Sequence, residues 1–185
     1  MAPPKTAVLE DTLPLTAPQP KKVLDRRPRG PILVYITAEL STDEHSKLIA
    51  EMSESFEEPR EEFRYASDSF TGATLREVYE DFIRHRDEDL RVDPLLFMVA
   101  DYADPGRNGI LIVCLDAFTL REDLTQHYVV GVARVTVGQV GIDIACLTSG
   151  ATDWLHIKES EDDGPDGWGG HVADNERLYP PEGFP

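Results

Sequence analysis

The sequence of 185 residues has no long apolar segment. None of its apolar runs reaches the roughly 18 to 20 residues that a helix needs to cross a bilayer. The N-terminal stretch MAPPKTAVLEDTLPLTAPQPKK carries prolines and acids where a secretion signal needs an apolar block. These absences predict a soluble cytoplasmic protein that does not bind membranes.

Cysteine is scarce as well. Cys114 and Cys146 are the two cysteines of the chain, and they lack the C-x-x-C spacing of zinc sites and redox motifs. Each lies in an apolar, strand-like run, ILIVCL or GIDIACL. Because free cysteine is among the most buried residue types, the sequence predicts two buried thiols rather than a disulfide scaffold.

The motifs of the common catalytic and cofactor sites are also missing. The chain has no GxSxG, P-loop or GxGxxG pattern, and its five histidines form neither HxxxH nor HExxH. The letters HRD occur in RHRDEDL (84–90), but without the glycine-rich loop, VAIK strand and DFG of protein kinases. The sequence therefore predicts no metal and no cofactor, while a catalytic triad assembled only in three dimensions stays open.

What the chain has in excess is negative charge. It contains 35 Asp and Glu against 18 Lys and Arg, a net charge of −17. Such a chain repels the phosphates of nucleic acids and attracts basic surfaces. The sequence therefore predicts no nucleic-acid partner, and it favours a protein partner with a basic surface.

The composition divides the chain into three parts. Residues 1–30 hold six of the fourteen prolines and six Lys or Arg against three acids, which predicts a flexible basic arm. Residues 159–185 hold eight acids and one base, which predicts an acidic tail. Residues 31–158 between them are the predicted α/β domain.

Two amphipathic helices are predicted, each with an N-terminal capping box. Ser41 and Glu44 form one box, in which the hydroxyl and the carboxylate each bond an otherwise unpaired backbone N–H. The helix behind this box extends to about residue 56. Thr74 and Glu77 form the second box, at the start of the clearest helix in the chain. The apolar stripe of that helix consists of Leu75, Val78, Tyr79, Phe82 and Ile83.

Short apolar runs rich in β-branched residues predict the strands. DYADPGRNG, which follows residue 100, is rich in turn residues and too short for a helical crossover, so the runs on either side are expected to form an antiparallel hairpin. The fold predicted is α/β, a single compact domain with a mixed sheet of about five to six strands, two main amphipathic helices and flexible ends. The strand runs are ILVYIT (32–37), residues 63–66, LLFMVA (95–100), ILIVCL (110–115), YVVGVARVTV (128–137) and VGIDIACL (140–147).

The hairpin loop is a candidate catalytic site. Asp101, Tyr102, Asp104 and Arg107 would form the polar set of a small hydrolase-like enzyme, because loops on a rigid scaffold often carry sites. The same residues also suit a plain hairpin loop. A cation shared by Asp101 and Asp116 is not expected, since the antiparallel hairpin would separate the two carboxylates by about 15 Å.

The acidic tail is a candidate binding segment. Its acids keep it in water, while its aromatic residues offer anchors that a partner can bury. Trp168 could instead pack on the body of the same molecule, and both alternatives stay open. The candidate binding residues are Trp168, Tyr179, Phe184, Asp162, Asp163 and Asp166.

A series of patterns across residues 31–158 resembles a known family. They are, in order, GPILVYIT, EFRYASDSFTGATLREVYEDF, LLFMVADYADPGRNGILIVCLD, HYVVGVARV and IDIACLTSGATDWL. In this order of elements the chain resembles an uncharacterised family of small acidic α/β proteins of bacteria and fungi. The resemblance implies a compact single domain, and it implies no activity because the family has none assigned.

The sequence therefore favours a non-catalytic acidic interaction protein that binds a protein partner, as an inhibitor or as a subunit of an assembly. The alternative is a small hydrolase-like enzyme with its site near residues 101–109. An enzyme should show a concave pocket with convergent polar groups and shifted pKa values, whereas a binder should show a flat apolar patch rimmed by charge.

Overall fold

The computed structural model describes six stretches of the chain, residues 6–20, 30–54, 63–66, 69–89, 91–117 and 128–162. The strands in them are β1 (Thr16–Ala17), β2 (Ile32–Ile36), β3 (Phe63–Tyr65), β4 (Leu96–Ala100), β5 (Ile110–Cys114), β6 (Tyr128–Val129) and β7 (Gly131–Val135). The α-helices are α1 (Thr6–Glu10), α2 (Thr42–Glu54), α3 (Leu75–Glu88), α4 (Pro105–Asn108), α5 (Val140–Ser149) and α6 (Trp154–Asp162). The predicted α/β class is confirmed. None of the helices in these stretches combines the length and the apolar character that crossing a bilayer requires.

A mixed five-stranded sheet forms the centre, in the order β3-β2-β4-β5-β7. Strand β2 is parallel to both of its neighbours, with Ile32 opposite Phe63 on one side and Leu33 opposite Phe97 on the other. Helix α2 connects β2 to β3, and α3 connects β3 to β4. Because the two helices bury their apolar faces in different cores, they cover opposite faces of the sheet.

The predicted hairpin is confirmed. Strands β4 and β5 pair antiparallel, with Leu96 opposite Cys114 and Val99 opposite Leu111. Strand β7 pairs antiparallel with the other side of β5 and ends the sheet. The near-continuous apolar runs of β4 and β5 are buried along their whole length, as expected of strands covered on both faces.

Each face of the sheet has its own apolar core. One core lies under α2, α5 and α6, and it includes Leu48 and Met52 of α2. The other lies under α3 and the N-terminal segment, and it includes Phe82 and Leu13. Both predicted capping boxes are present at the starts of the main helices. The Ser41 amide donates to the Glu44 carboxylate at 2.7 Å, and the Thr74 amide donates to the Glu77 carboxylate at 2.8 Å.

The run VGIDIACL was expected to be a strand, and this prediction is wrong, because the run begins helix α5. Val140 and Ile144 are buried one turn apart, and Leu147 packs against the same core. The run looks like a strand because Ile142 and Ala145, on the outer side of the helix, are also apolar. Contacts with α2 and the sheet therefore override the β-branched composition.

Structured segments lie on both sides of the predicted domain of residues 31–158. Residues 6–20 belong to the predicted arm, yet they form α1 and β1, and Leu13 and Ala17 are buried. At the other end α6 continues past Lys158 and buries Glu161. The remaining parts of the arm and tail, residues 1–5, 21–29 and 163–185, lie outside the described residues.

Candidate functional site

The carboxyl ends of β2, β3 and β4 meet at one edge of the sheet, because these strands are parallel. In open α/β sheets ligands bind in crevices outside the carboxyl ends of the strands. The loop of the β4–β5 hairpin starts at the same edge. The fold therefore favours a binding site here.

A groove of about 460 Å³ lies beyond the ends of β2 and β3. Ile36, Leu40 and Phe70 in its wall are half-buried, so part of their apolar surface faces the opening. Its lining contains as many polar residues as apolar ones. We call it the edge groove; its apolar lining is Val34, Ile36, Leu40, Ala66 and Phe70, and its polar lining is Glu39, His45, Tyr65, Ser69 and Thr71.

Aromatic packing fixes the walls of the edge groove. The Tyr65 hydroxyl donates to the main-chain carbonyl of His45, and the two rings lie 5.5 Å apart. Phe70 meets the ring of the buried Tyr35 edge-on, with centroids 4.9 Å apart. Burial raises the pKa of Tyr65 to about 12, so this phenol stays neutral and remains a donor at physiological pH.

Backbone hydrogen bonds fix the loops around the edge groove. Gly72, which has a φ of 79°, donates its amide to the carbonyl of Thr37 at 2.8 Å. The amides of Thr37 and Ala38 in turn donate to the carbonyl of Ala100 at 3.0 and 3.2 Å. The residues that follow β2 are thus tied both to Gly72 and to the end of β4.

A second, shallower groove of about 380 Å³ adjoins the edge groove and shares Ser69 and Phe70 with it. Asp81 accepts hydrogen bonds from the Tyr35 hydroxyl and from Arg84, and Glu80 pairs with Arg76 at 2.7 Å. Carboxylates outnumber cations in its wall. We call it the acidic groove; the charged part of its lining is Glu77, Glu80, Asp81 and Arg84.

Asp101, the first of the predicted catalytic residues, forms an ion pair in the structure. Arg134 of β7 donates to both of its carboxylate oxygens, at 2.8 and 2.6 Å, and also to the carbonyl of Asn108 at 3.2 Å. The Arg134 side chain is fully buried. The pair therefore ties the start of the hairpin loop to β7 across the end of β5.

The other predicted loop residues do not converge on a common point. Tyr102 lies against the guanidinium of Arg134, with its ring centroid 5.5 Å from Cζ. Asp104 caps the short helix α4 by accepting from the Arg107 amide at 3.2 Å, and the Arg107 side chain is exposed. Asp116 lies at the opposite end of the hairpin from Asp101, as expected. The described residues contain no cluster of three or more His, Cys, Asp or Glu arranged to hold a metal ion.

The predicted binding residues of the tail lie almost entirely beyond the described part of the chain. Asp162 is the last residue of α6. Asp163, Asp166, Trp168, Tyr179 and Phe184 lie outside the described residues.

Sequence reasoning missed several buried charged residues. Arg134 interrupts an otherwise apolar strand run, and a lone cation in such a run was a usable signal for a buried pair. Lys158 and Glu161 fell at the predicted domain boundary, where nothing distinguished them from surface residues. Asp143, in the first turn of α5, is also buried, and desolvation raises its pKa to about 6.

Comparison with known proteins gives no relative. No protein-family model matches the chain, and neither curated proteins nor solved structures provide a significant match. The resemblance to an uncharacterised family of acidic α/β proteins therefore stays a prediction.

Proposed function

We propose that the protein is a non-catalytic binding protein whose edge groove receives a segment of a protein partner. The observation that supports this proposal is the partly exposed apolar surface in the groove at the carboxyl ends of β2 and β3. The wall residues Ile36, Leu40 and Phe70 pack against the two cores but are only partly buried, so some of their apolar surface stays accessible. An apolar side chain of a partner would remove this surface from water.

The charge around the edge groove specifies the kind of segment. Glu39 lies at its rim, and the adjoining acidic groove adds Glu77, Glu80 and Asp81 with Arg84 as the cation in its lining. The chain as a whole carries a net charge of −17. Complementary charge speeds encounter and selects partners. The segment that fits is therefore one with an apolar anchor next to lysine or arginine.

Binding accounts for the polar residues of the edge groove better than catalysis does. Tyr65 is neutral, and its hydroxyl is engaged by a main-chain carbonyl. In the loop that the enzyme alternative requires, Asp101 is engaged by Arg134 and Asp104 caps α4. These contacts are explained by stability alone, and the candidate catalytic residues Asp101, Asp104 and Arg107 do not converge on a common point.

The tail and the cellular location are part of the same proposal. Trp168, Tyr179 and Phe184 stay the predicted aromatic anchors for the partner, with the neighbouring acids adding attraction for a basic surface. Cys146 is a free thiol, which suits a reducing compartment such as the cytoplasm. An inhibitor of a basic protein and a subunit of an assembly both use such a surface.

The proposal is tested with peptides rather than with a presumed partner. Random peptides are selected on the full-length chain, and the enriched sequences are titrated into isotope-labelled protein by NMR. We expect the selected peptides to combine Lys or Arg with an apolar residue and to shift the amide signals of the edge groove. Glu39→Lys should weaken their binding about three- to tenfold, because a close charge contact contributes on the order of 1 kcal/mol.

Glu54→Lys is the matched control, because Glu54 is also exposed but lies at the end of α2, outside the lining of both grooves. Glu54→Lys changes the net charge by the same amount as Glu39→Lys. It should leave the affinity for the selected peptides within about twofold of the wild-type value. The proposal is wrong if both variants weaken binding equally. It is also wrong if the shifted amides surround residues 101–109 instead.

A further inference from the structure

Helix α5 presents an uncharged outer face to water. Residues 136–152 contain one charged residue, Asp143, and its side chain is buried. This stretch therefore exposes no charged side chain, although charged residues make up 29% of the chain. We call this surface the α5 face; its exposed and half-exposed members, which follow helical spacing, are Gln139, Ile142, Ala145, Cys146 and Ser149.

Apolar surface lies at the centre of the α5 face. Ile142 is 47% exposed, and it is one of the two large apolar side chains that are exposed in the described residues. Ala145 and the half-buried Cys146 lie about one turn further along the same side of the helix. Together these neighbours offer an apolar surface on which a large side chain can pack and leave water.

The chain leaves the described part of the structure close to the α5 face. The Arg134 amide donates to Glu161, so the end of α6 lies beside the end of β7. From β7 the chain enters a 3₁₀ turn, Val137–Gln139, and then α5. Such a turn rises about 2.0 Å per residue and an α-helix about 1.5 Å, so Ile142 lies only about 9 Å beyond the start of this turn. The end of α6 and Ile142 are therefore near each other, across the end of β7.

The tail that continues from α6 carries a large aromatic residue within reach of the α5 face. Residues 163–185 lie outside the described residues, and Trp168 is the sixth residue after Asp162. Trp168 is also the first large apolar residue in that part of the sequence. Six extended residues span up to about 20 Å, which is enough to bring Trp168 over Ile142.

Charge favours the α5 face as the place for this segment. Residues 159–185 hold eight acids and one base, and the whole chain has a net charge of −17, so the tail is repelled by acidic surface. The α5 face adds no repulsion because it exposes no charge. Val8, the other exposed large apolar side chain, lies on α1 three residues before the exposed Asp11. Of the two apolar positions, Ile142 therefore suits an acidic segment better.

We infer that Trp168 packs on the α5 face in the free protein, with Ile142 as its main contact. The contact does not have to be strong. A short tether gives an effective concentration in the millimolar range, so a contact of about millimolar strength is made in about half of the molecules. This inference does not depend on the edge groove. A partner that uses Trp168 as an anchor has to detach it from α5 first, so the contact is self-inhibitory.

The fluorescence of Trp168 in the full-length protein tests the inference. Trp154 is buried, and subtracting the spectrum of Trp168→Phe from that of the wild type isolates the signal of Trp168. We expect Ile142→Gln to shift this signal to longer wavelength and to raise its quenching by acrylamide about twofold, because the docked molecules are released. Val8→Gln is the matched control, since it also removes an exposed apolar side chain, and it should leave the quenching unchanged.

Cys146 provides a measurement that needs no change in α5. Its thiol lies one turn from Ile142 on the α5 face and is half-buried, whereas Cys114 is buried. Trp168→Ala keeps the charge of the tail and should let a neutral thiol reagent react about twofold faster with Cys146 than in the wild type.

Three results would overturn the inference. One is a wild-type Trp168 that acrylamide quenches as readily as it does in the urea-denatured chain, together with equal Cys146 reactivity in the wild type and Trp168→Ala. Another is release of Trp168 by Val8→Gln instead of by Ile142→Gln, which would place the contact on α1. The third is burial of Trp168 that disappears on dilution, because a second molecule would then provide the contact.

Discussion

The buried pair of Asp101 and Arg134 gives the sharpest test of whether the hairpin loop is structural or catalytic. Changing Asp101 to Asn keeps the size of the side chain but removes its charge. If Asp101 served catalysis, the protein should lose activity and keep its stability. If the pair is structural, the variant leaves a buried guanidinium without a counter-ion, and stability should fall.

The expected magnitude follows from the burial of the pair. Arg134 has 0% of its side chain exposed and Asp101 has 18%, and two hydrogen bonds join them. Removing one partner of a buried ion pair costs about 3 to 5 kcal/mol. Water can reach Asp101, and asparagine still accepts one hydrogen bond. We therefore expect Asp101→Asn to lower the free energy of unfolding by about 3 kcal/mol, the low end of this range. For a chain of this length that lowers Tm by about 6 to 12 °C.

Urea and thermal denaturation of the full-length chain provide the measurement, with Asp104→Asn as the control. Asn replaces Asp well at a helix N-cap, so this neighbouring change should cost less than about 0.5 kcal/mol. The double change of Asp101 to Asn and Arg134 to Met should recover stability, since no buried charge remains unpaired. An Asp101→Asn protein as stable as the Asp104→Asn control would refute the structural role of the pair.

Three other changes test separate parts of the fold. A Cβ at Gly131 would lie 2.4 Å from Trp154 Nε1, which is too close. Gly131→Ala should therefore lower the free energy of unfolding, measured in urea, by about 1 to 3 kcal/mol. Adding Trp154→Phe should recover part of this loss. The pKa of Asp143 is raised to about 6, so the stability of the wild type relative to Asp143→Asn should fall as the pH rises from about 4 to about 6 and then level off. Truncation after Lys158 removes Glu161 and should lower Tm, whereas a chain that retains all of α6 should keep these contacts.

The elements that the sequence predicts correctly are those whose signals are local. The capping boxes at Ser41 and Thr74 act within one helical turn, and the turn residues between β4 and β5 specify a hairpin over nine positions. Strand β3 and helix α3 also follow from short-range periodicity. The α/β class and the antiparallel β4–β5 pair could therefore be predicted from composition and spacing.

The structural features that could not be predicted from the sequence depend on contacts between segments that are distant along the chain. The sequence of helix α5 resembles that of a strand. Its contacts with α2 and the sheet, which cover one face of the helix, are what distinguish it. The prolines of residues 1–30 predict a flexible arm because they exclude long regular elements, yet the short α1 and β1 within it need only β7 and β6 as partners. The edge groove likewise consists of residues from two strands, the loops that follow them and helix α2, and no single window of sequence contains its apolar lining.

A partner could bind along the edge strand β7 or in the edge groove beyond the carboxyl ends of β2 and β3, and the two places differ in what binding would expose. At β7 buried carboxylates hold the amides of Val132 and Arg134. A partner that added a strand there would therefore have to expose the buried ionic contacts of Lys158 with Glu10 and Glu161. At the edge groove apolar surface is already open, and no buried charge has to be uncovered. Binding should therefore leave the Val132 and Arg134 amides as slow to exchange as in the free protein. Faster exchange of these two amides on addition of a selected peptide would show that the peptide displaces α1 and α6, and it would move the binding site from the edge groove to β7.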